Sequence, residues 1–288
     1  MAETGTHADR ASSAREGGAR STAWRPRART ALLAFAVLAA LPVAGLAALV
    51  AAGGMTGEDL QALTPAVMLL PALVAVFVWS TTRTEPLGRA LRLRAERGWV
   101  RSLAWSLLAV AVIAALGAAT AALAVLLGVA EPSDDWRAVL PALPVALGSA
   151  AAFALAEEVG WRGYAQRLLA PIGLVRSSLA IAGFWALWHA PAMAVWVAEG
   201  SMPLAVAATT LGSLLLGGLV LSALAALGGS VWPAVAGHAA MNTLAVLATS
   251  AAVSGDAASI GAIGLLPWAL AAGVLLVIAG RRGRPRSN

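Results

Sequence analysis

The sequence predicts an all-α membrane protein with about eight transmembrane helices. Its composition is the first reason: 60% of the 288 residues are hydrophobic and only 12% are charged. Soluble domains carry roughly 25% charged residues. The second reason is a series of long apolar runs, and the third is the uneven distribution of arginine between the segments that separate those runs. Lipid is therefore the expected solvent for most of this chain.

The apolar runs are long enough to cross a bilayer as helices, which needs about 20 residues. Segments with charges or with Gly, Pro and Asp turn signals separate them. The eight predicted spans are residues 31–52, 64–80, 103–130, 138–158, 177–197, 204–227, 231–250 and 260–280.

Arginine sets the predicted orientation of these spans. If the N-terminus is cytoplasmic, nineteen of the 20 basic residues fall in cytoplasmic segments, and only Arg137 lies outside. The positive-inside rule then predicts that both termini are cytoplasmic. All basic residues are arginine, which we interpret as a GC-rich coding bias, and hence as an indication of a multi-pass protein of a bacterial inner membrane. The basic residues do not alternate with aromatic ones, so we expect the lipid bilayer and not nucleic acid as the partner.

Three regions follow from the composition. Residues 1–30 are polar and are expected to form a disordered cytoplasmic tail. Residues 31–280 form the polytopic membrane domain, and residues 281–288 form a basic cytoplasmic tail. A cleaved signal peptide is the alternative for the first span. The run 31–52 is longer than the apolar segment of a secretory signal peptide, which favours a retained helix.

The chain contains no cysteine. A thiol nucleophile and a cysteine-ligated zinc site are therefore excluded. Ser149 and Ser213 are the conspicuous hydroxyl groups of the middle spans, and neither lies in a Gly-x-Ser-x-Gly turn. Carboxylates and imidazoles remain as the groups that could carry hydrolytic chemistry.

Two adjacent glutamates, Glu157 and Glu158, follow an apolar stretch at the inner end of the fourth span. Neighbouring side chains on a helix point about 100° apart, so the two carboxylates are expected to have different roles. Glu158 and Arg162 are four residues apart and can pair. Glu157 is then free to act as a general base. Alternatively, both are boundary glutamates paired with nearby arginines.

Two of the three histidines lie in apolar spans, His189 in the fifth and His238 in the seventh. Ionisable groups at such depth usually face a cavity or a partner. Asn242 follows His238 by four residues, so both side chains project from one face of the seventh helix. Hydrogen bonding between helices is the alternative interpretation.

Together these residues suit amide hydrolysis. Glu157 could take a proton from water, and His189 could orient that water. His238 and Asn242 could donate to the oxyanion of a tetrahedral intermediate. A zinc ion held by Glu157, His189 and His238 is also possible. The residues alone leave water activation and zinc both open.

The motifs that carry these residues resemble those of the CPBP family of intramembrane proteases, also called the CAAX protease and bacteriocin-processing, or Abi, family. The resemblance covers about residues 138–250 and rests on three motifs in order: Glu157-Glu158-Val159-Gly160-Trp161-Arg162-Gly163, Phe184-Trp185-Ala186-Leu187-Trp188-His189-Ala190-Pro191, and His238 with Asn242. The chain departs from the family pattern at Trp185, where phenylalanine is usual.

The resemblance implies an eight-helix bundle in which a cavity opening to the cytoplasm leads to the catalytic groups on helices 4, 5 and 7. It implies Glu157 as the base with His189 as its partner. Glu158 and Arg162 would hold the site, and His238 and Asn242 would stabilise the oxyanion.

We therefore expect an intramembrane endopeptidase, either glutamate-type or zinc-dependent, that acts on peptides or membrane proteins. The catalytic set is Glu157, Glu158, His189, His238 and Asn242, supported by Arg162. The alternative is a non-enzymatic immunity or scaffold protein that uses the same residues structurally. A transporter would require a repeated pattern of polar residues in the first half of the chain, which is absent.

Overall fold

The computed structural model describes residues 26–83 and 85–282, which are almost entirely helical. Within these ranges, seven helical segments are long and apolar enough to cross a membrane. They are Arg27–Ala51, Gly57–Thr82, Trp99–Leu126, Trp136–Leu168, Leu174–Ala198, Leu204–Gly228 and Ala257–Arg282. The predicted all-α membrane class is confirmed.

In chain order, the α-helices of the described residues are α1 Pro26–Ala51, α2 Gly57–Thr82, α3 Leu87–Ala90, α4 Trp99–Leu126, α5 Trp136–Val139, α6 Leu143–Glu158, α7 Gln166–Leu168, α8 Leu174–Ala198, α9 Leu204–Gly228, α10 Trp232–Ala240, α11 Val246–Ser250 and α12 Ala257–Arg282. Short 3₁₀ turns cover Leu140–Ala142 and Ala170–Ile172, and π-helical turns cover Val159–Ala165 and Met241–Ala245. Two strands, β1 Ala130–Pro132 and β2 Val253–Gly255, pair antiparallel with Ala130 opposite Gly255.

The predicted span 231–250 corresponds to α10, the second π turn and α11, which continue into one another as a single helical segment. This segment is not among the seven that are apolar enough to cross a membrane. His238 and Asn242 explain the difference, because two polar side chains near the middle of the segment lower its mean hydropathy. Its crossing of the bilayer stays a prediction.

The two predicted tails lie largely outside the described residues. Residues 1–25 and 283–288 are not described. At the N-terminal boundary α1 begins at Pro26, so residues 26–30 of the predicted tail are helical. Proline favours the first position of a helix, which fits this start. At the other end Arg281 and Arg282 form the last turn of α12.

Successive helices alternate in direction, so their connections gather at two ends of the bundle. The arginine-rich end carries the connections 83–98, 169–173 and 229–231, and the bond from Val231 N to Arg92 O joins the first of these to the third. The opposite end carries the connections 52–56, 127–135, 199–203 and 251–256. Here the β1–β2 pair and the bond from Gly57 N to Glu199 Oε1 (2.8 Å) join the connections.

Small residues let α9 pack closely against its neighbours. A Cβ at Gly217 would lie 2.9 Å from Met241 Sδ, and one at Gly218 would lie 2.8 Å from Ala182 Cβ. Larger side chains at these positions would push the helices apart. The small-residue face of α9 therefore brings α8 and the second π turn close to the centre of the bundle.

Candidate active site

Glu157 and Glu158 end α6 and are followed by the first π-helical turn. Two glycines in this turn allow its close packing. A Cβ at Gly160 would lie 2.6 Å from the carbonyl of Pro71 in α2, and one at Gly163 would lie 2.5 Å from Leu91 O. No side chain fits at such distances. The Glu-Glu-Val-Gly-Trp-Arg-Gly motif thus fixes both glutamates against α2 and the 83–98 connection.

Glu158 is the centre of a buried charge cluster. Its Oε1 accepts a hydrogen bond from Arg162 Nη1 at 2.8 Å and another from His238 Nδ1 at 2.8 Å. Both Glu158 and Arg162 are fully buried. The pair four residues apart is therefore present as predicted, and it also holds the histidine of α10. Such a cluster is stable only when every charge has a partner.

Arg162 extends this cluster toward α8 and α9. Its Nη2 donates to Gly218 O at 3.2 Å, and its guanidinium stacks over the Trp185 ring at 4.7 Å. A guanidinium over an indole face gains from the ring quadrupole. Arg162 therefore fixes the position of Trp185 as well as that of Glu158.

Trp185 lies between Glu157 and the Arg162 guanidinium that binds Glu158. Its indole Nε1 donates to Glu157 Oε2 at 2.8 Å, and its side chain is fully buried. Its ring also makes edge contacts with His189 and His238, at centroid distances of 5.5 and 5.2 Å. In the sequence, Trp185 stood out only as a departure from the family pattern. The overlooked signal was chemical, because an indole carries an N–H donor that phenylalanine lacks.

The hydrogen bonds of the two histidines define which ring nitrogens are free. His189 Nδ1 lies 2.8 Å from Trp185 O, and a carbonyl can only accept, so Nδ1 carries a proton. His238 Nδ1 likewise donates to Glu158. In each ring Nε2 is left without a hydrogen bond from another described residue. These two Nε2 atoms are therefore available to water or substrate.

An internal cavity of about 180 Å³ brings the predicted residues together. Glu157, His189, His238 and Asn242 all line it, together with Trp185. The remaining lining residues are mostly apolar: Val43, Leu46, Leu60, Thr64, Val67, Met68, Trp188, Ala192, Met193, Trp196 and Leu214. Glu158 and Arg162 do not line the cavity and lie behind its wall. His238 and Asn242 share one face, as their spacing predicts.

The expected opening of the cavity toward the cytoplasm stays a prediction. From Glu157 the cavity extends between α1, α2 and α8 toward the opposite end, as far as Leu60 and Trp196. Fully buried Trp161, Arg162 and Trp185 fill the space on the arginine-rich side. These bulky side chains are closely packed on that side of Glu157.

At the opposite end the cavity meets a contact between two connections. Glu199 accepts the backbone N–H of Gly57, and Trp196 Nε1 donates to Gly57 O at 3.4 Å. Asn242, by contrast, is solvent-accessible on its helix face. Asn242 therefore lines the cavity and is also exposed on the second π turn.

The three residues predicted as zinc ligands share this cavity but do not converge on one point. Within residues 26–83 and 85–282, no group of three His, Asp or Glu side chains is placed to hold a metal ion. The described residues, as they are placed, do not fit a zinc ion.

The geometry suits activation of water. Oε2 of Glu157 is held by Trp185, and no hydrogen bond from the described residues reaches Oε1, although the residue lines the cavity. A carboxylate with one fixed and one free oxygen can accept a proton from a bound water. The free Nε2 atoms of His189 and His238 lie around the same space.

Comparison with known families identifies the segment that contains this site. Residues 138–244 match the family model described as type II CAAX prenyl endopeptidase, Rce1-like. No curated protein gives a match. The family match covers every predicted site residue from Glu157 to Asn242 and confirms the resemblance seen in the sequence. It supports an intramembrane endopeptidase within a multi-pass membrane protein.

Proposed function

We propose that the chain is an intramembrane protease of the CAAX protease type, whose family model matches residues 138–244, and that it hydrolyses peptide bonds with a water molecule activated by Glu157. One observation carries the proposal. A general base, two imidazoles and a carboxamide line a single buried cavity that is otherwise apolar. Such a cavity strengthens electrostatic interactions with a reacting carbonyl group.

In the proposed reaction, Glu157 Oε1 takes a proton from water while the water oxygen attacks the peptide carbonyl carbon. Trp185 keeps the other carboxylate oxygen in place, so the free oxygen faces the water. His189 Nε2 accepts the second water hydrogen and orients the molecule. The proton held by Glu157 then passes to the leaving amine as the C–N bond breaks.

The oxyanion formed in this attack needs hydrogen-bond donors. Asn242 supplies its amide N–H. His238 supplies Nε2–H when the ring is an imidazolium, because Nδ1 already donates to Glu158. Removal of one such donor typically slows a reaction by about 10²–10³-fold. Glu158 and Arg162 are proposed to act by holding His238.

The apolar lining indicates the kind of substrate. Apolar groups of a substrate could contact Leu60, Val67, Met68 and Met193. Apart from the catalytic residues, no charged side chain among the described residues lines the cavity. The family description names prenyl endopeptidases, and an apolar cavity suits either a lipid-modified peptide or a membrane-protein segment. The proposal is therefore peptide-bond hydrolysis of a substrate that enters from the membrane.

The proposal is tested with purified protein in lipid vesicles mixed with a membrane-protein extract. Wild type should generate new peptide termini, and Glu157→Gln should reduce their rate of formation by at least about 10²-fold. His238→Ala should cause a comparable loss. Glu131→Gln, an exposed change on β1, serves as the matched control and should keep full activity.

Thermal unfolding of each variant separates chemistry from folding. Equal cleavage by wild type and Glu157→Gln would contradict the proposal. No cleavage by wild type, together with lower folded yield of the variants, would favour a non-enzymatic scaffold in which these residues act as structural contacts.

A requirement for zinc is tested by elemental analysis of the purified protein. Full cleavage by protein with less than stoichiometric zinc is the expected outcome for direct water activation. Stoichiometric zinc that is lost together with activity on chelation would establish a metal-dependent reaction instead.

A further inference from the structure

A second cavity lies at the arginine-rich end, apart from the catalytic one. It measures about 300 Å³ and shares no lining residue with the catalytic cavity. Polar side chains form much of its wall: Arg92, Glu96, Arg97, Gln166, Arg167 and Ser177. It lies between the ends of several helices, which in the predicted orientation of the spans places it at the depth of lipid headgroups.

The positive charges of this cavity are incompletely paired. Arg167 binds Glu85 at 2.7 Å and Glu96 at 2.9 Å. Among the described residues, no carboxylate oxygen lies within 4 Å of Arg92 or Arg97. The pKa of Arg92 is lowered to about 10, mainly by burial; Glu96 opposes this effect, and the charges of Arg167 and Arg97 add to it. An anion would relieve this repulsion.

Carbonyl groups at the end of α9 accept hydrogen bonds from only some of the N–H groups of Arg92 and Arg97. Arg92 Nη2 donates to Ala225 O at 3.0 Å, and Arg97 Nη1 donates to Ala226 O at 3.1 Å. A helix C-terminus supplies about half a negative charge. Each guanidinium carries five N–H donors, so both keep donors for a further acceptor.

Gln166 supplies a complementary group. Its side chain is 5% exposed, its Nε2 donates to Ser178 Oγ at 3.3 Å, and its Oε1 has no hydrogen-bond partner in the described part of the chain. A buried acceptor without a partner is unfavourable by about 1–3 kcal/mol. A ligand that offers a hydroxyl group beside its anionic group would satisfy it.

We propose that this cavity binds the phosphate group of an anionic phospholipid, with its oxygens on Arg92 and Arg97 and a headgroup hydroxyl on Gln166. Guanidinium groups bind phosphate oxygens through paired N–H donors. Basic pockets between helices at this membrane face are known lipid sites. Arg92 Nη1 also donates to Arg162 O at 3.2 Å, so the bound lipid steadies the turn that carries Arg162. The proposal stands independently of the peptidase proposal.

The test measures lipid binding to the full chain in neutral detergent, by native mass spectrometry and by the shift of Tm. The probe is phosphatidylglycerol, which joins a phosphate to free hydroxyls, and phosphatidylcholine is the zwitterionic comparison. Phosphatidylglycerol should bind saturably and raise Tm. Arg97→Gln should weaken its apparent affinity about tenfold, because one charge-assisted contact is lost.

Arg101→Gln is the matched control. Arg101 Nε donates to Leu227 O at 2.9 Å, the next carbonyl of the same helix end, yet Arg101 does not line the cavity. This variant should bind phosphatidylglycerol like wild type. A second probe, inorganic phosphate with glycerol phosphate, distinguishes the source of the anion: protection by these alone would assign the site to a soluble phosphate.

Two outcomes would overturn the proposal. One is an equal response of wild type, Arg97→Gln and Arg101→Gln to phosphatidylglycerol. The other is the absence of any difference between phosphatidylglycerol, phosphatidylcholine and soluble phosphate. Either result would leave the arginines as caps of the α9 carbonyl groups.

Discussion

At the scale of single residues, Trp185 touches Glu157, Arg162 and both histidines of the cavity. The sequence predicted Glu157, His189, His238 and Asn242 correctly as residues that come together, because polar groups in apolar helices need partners. It could not predict Trp185. An aromatic residue in an apolar span is ordinary, and its role depends on which atom its N–H meets across the bundle.

The indole N–H of Trp185 should matter for the rate. Trp185→Phe keeps an aromatic ring but removes the donor to Glu157, so kcat should fall about ten- to hundredfold while KM changes less. Steady-state kinetics on a cleaved peptide would measure both constants. Trp188→Phe is the control, since Trp188 Nε1 donates to Ala39 O and not to a glutamate. Similar kcat values in the two variants would contradict this role.

The Glu158–Arg162 pair should contribute to stability. Glu158→Gln leaves the buried Arg162 guanidinium without its carboxylate and should lower the free energy of unfolding by about 3–5 kcal/mol. Unfolding in mixed micelles would measure the change. The double variant Glu158→Gln with Arg162→Met should recover part of the loss, because no uncompensated charge remains. A single variant as stable as wild type would be inconsistent with the buried pair.

At the scale of elements, apolar periodicity predicted the helices but not their irregular turns. The sequence run 64–80 corresponds to α2, which extends to Gly57 because Thr56 and Asp59 form a capping box. The two π turns directly follow the glutamate motif and His238. Such turns depend on contacts with other helices, here the approach of Pro71 to Gly160, and hydrophobic spacing carries no signal for them.

Close helix contact at Gly160 yields a direct prediction. Gly160→Ala would force a Cβ within 2.6 Å of the Pro71 backbone, so Tm and folded yield should fall strongly. Gly148→Ala in the same helical segment, Trp136–Leu168, meets nothing within 4 Å. This control should leave Tm unchanged or raise it, since alanine favours helix by roughly 0.5–1 kcal/mol. Equal effects of the two substitutions would show that the contact is absent.

At the scale of the whole molecule, composition alone predicted the membrane class, because a chain that is 60% hydrophobic cannot be covered by its few polar residues. The direction in which the cavity extends could not be predicted from the sequence. It depends on how Trp161, Arg162 and Trp185 fill one side of the site. The orientation of the chain stays a prediction of the arginine distribution.

Cysteine labelling tests that orientation, and the absence of cysteine makes the background clean. Ser254→Cys on β2 and Arg89→Cys on α3 introduce exposed thiols at opposite ends of the bundle. In intact cells an impermeant maleimide should label Ser254→Cys and not Arg89→Cys, because the arginine-rich end is predicted to be cytoplasmic. The reverse labelling pattern would invert the topology.

The central claim, that Glu157 activates water to cleave peptide bonds, is tested most directly by mapping membrane peptides in ¹⁸O-enriched water. Wild type should release peptides whose new C-terminal carboxylates carry ¹⁸O, because the attacking oxygen comes from water. Cells with Glu157→Gln should lack these peptides, although the variant is folded and present at the same level. The same labelled peptides in both strains would contradict the claim.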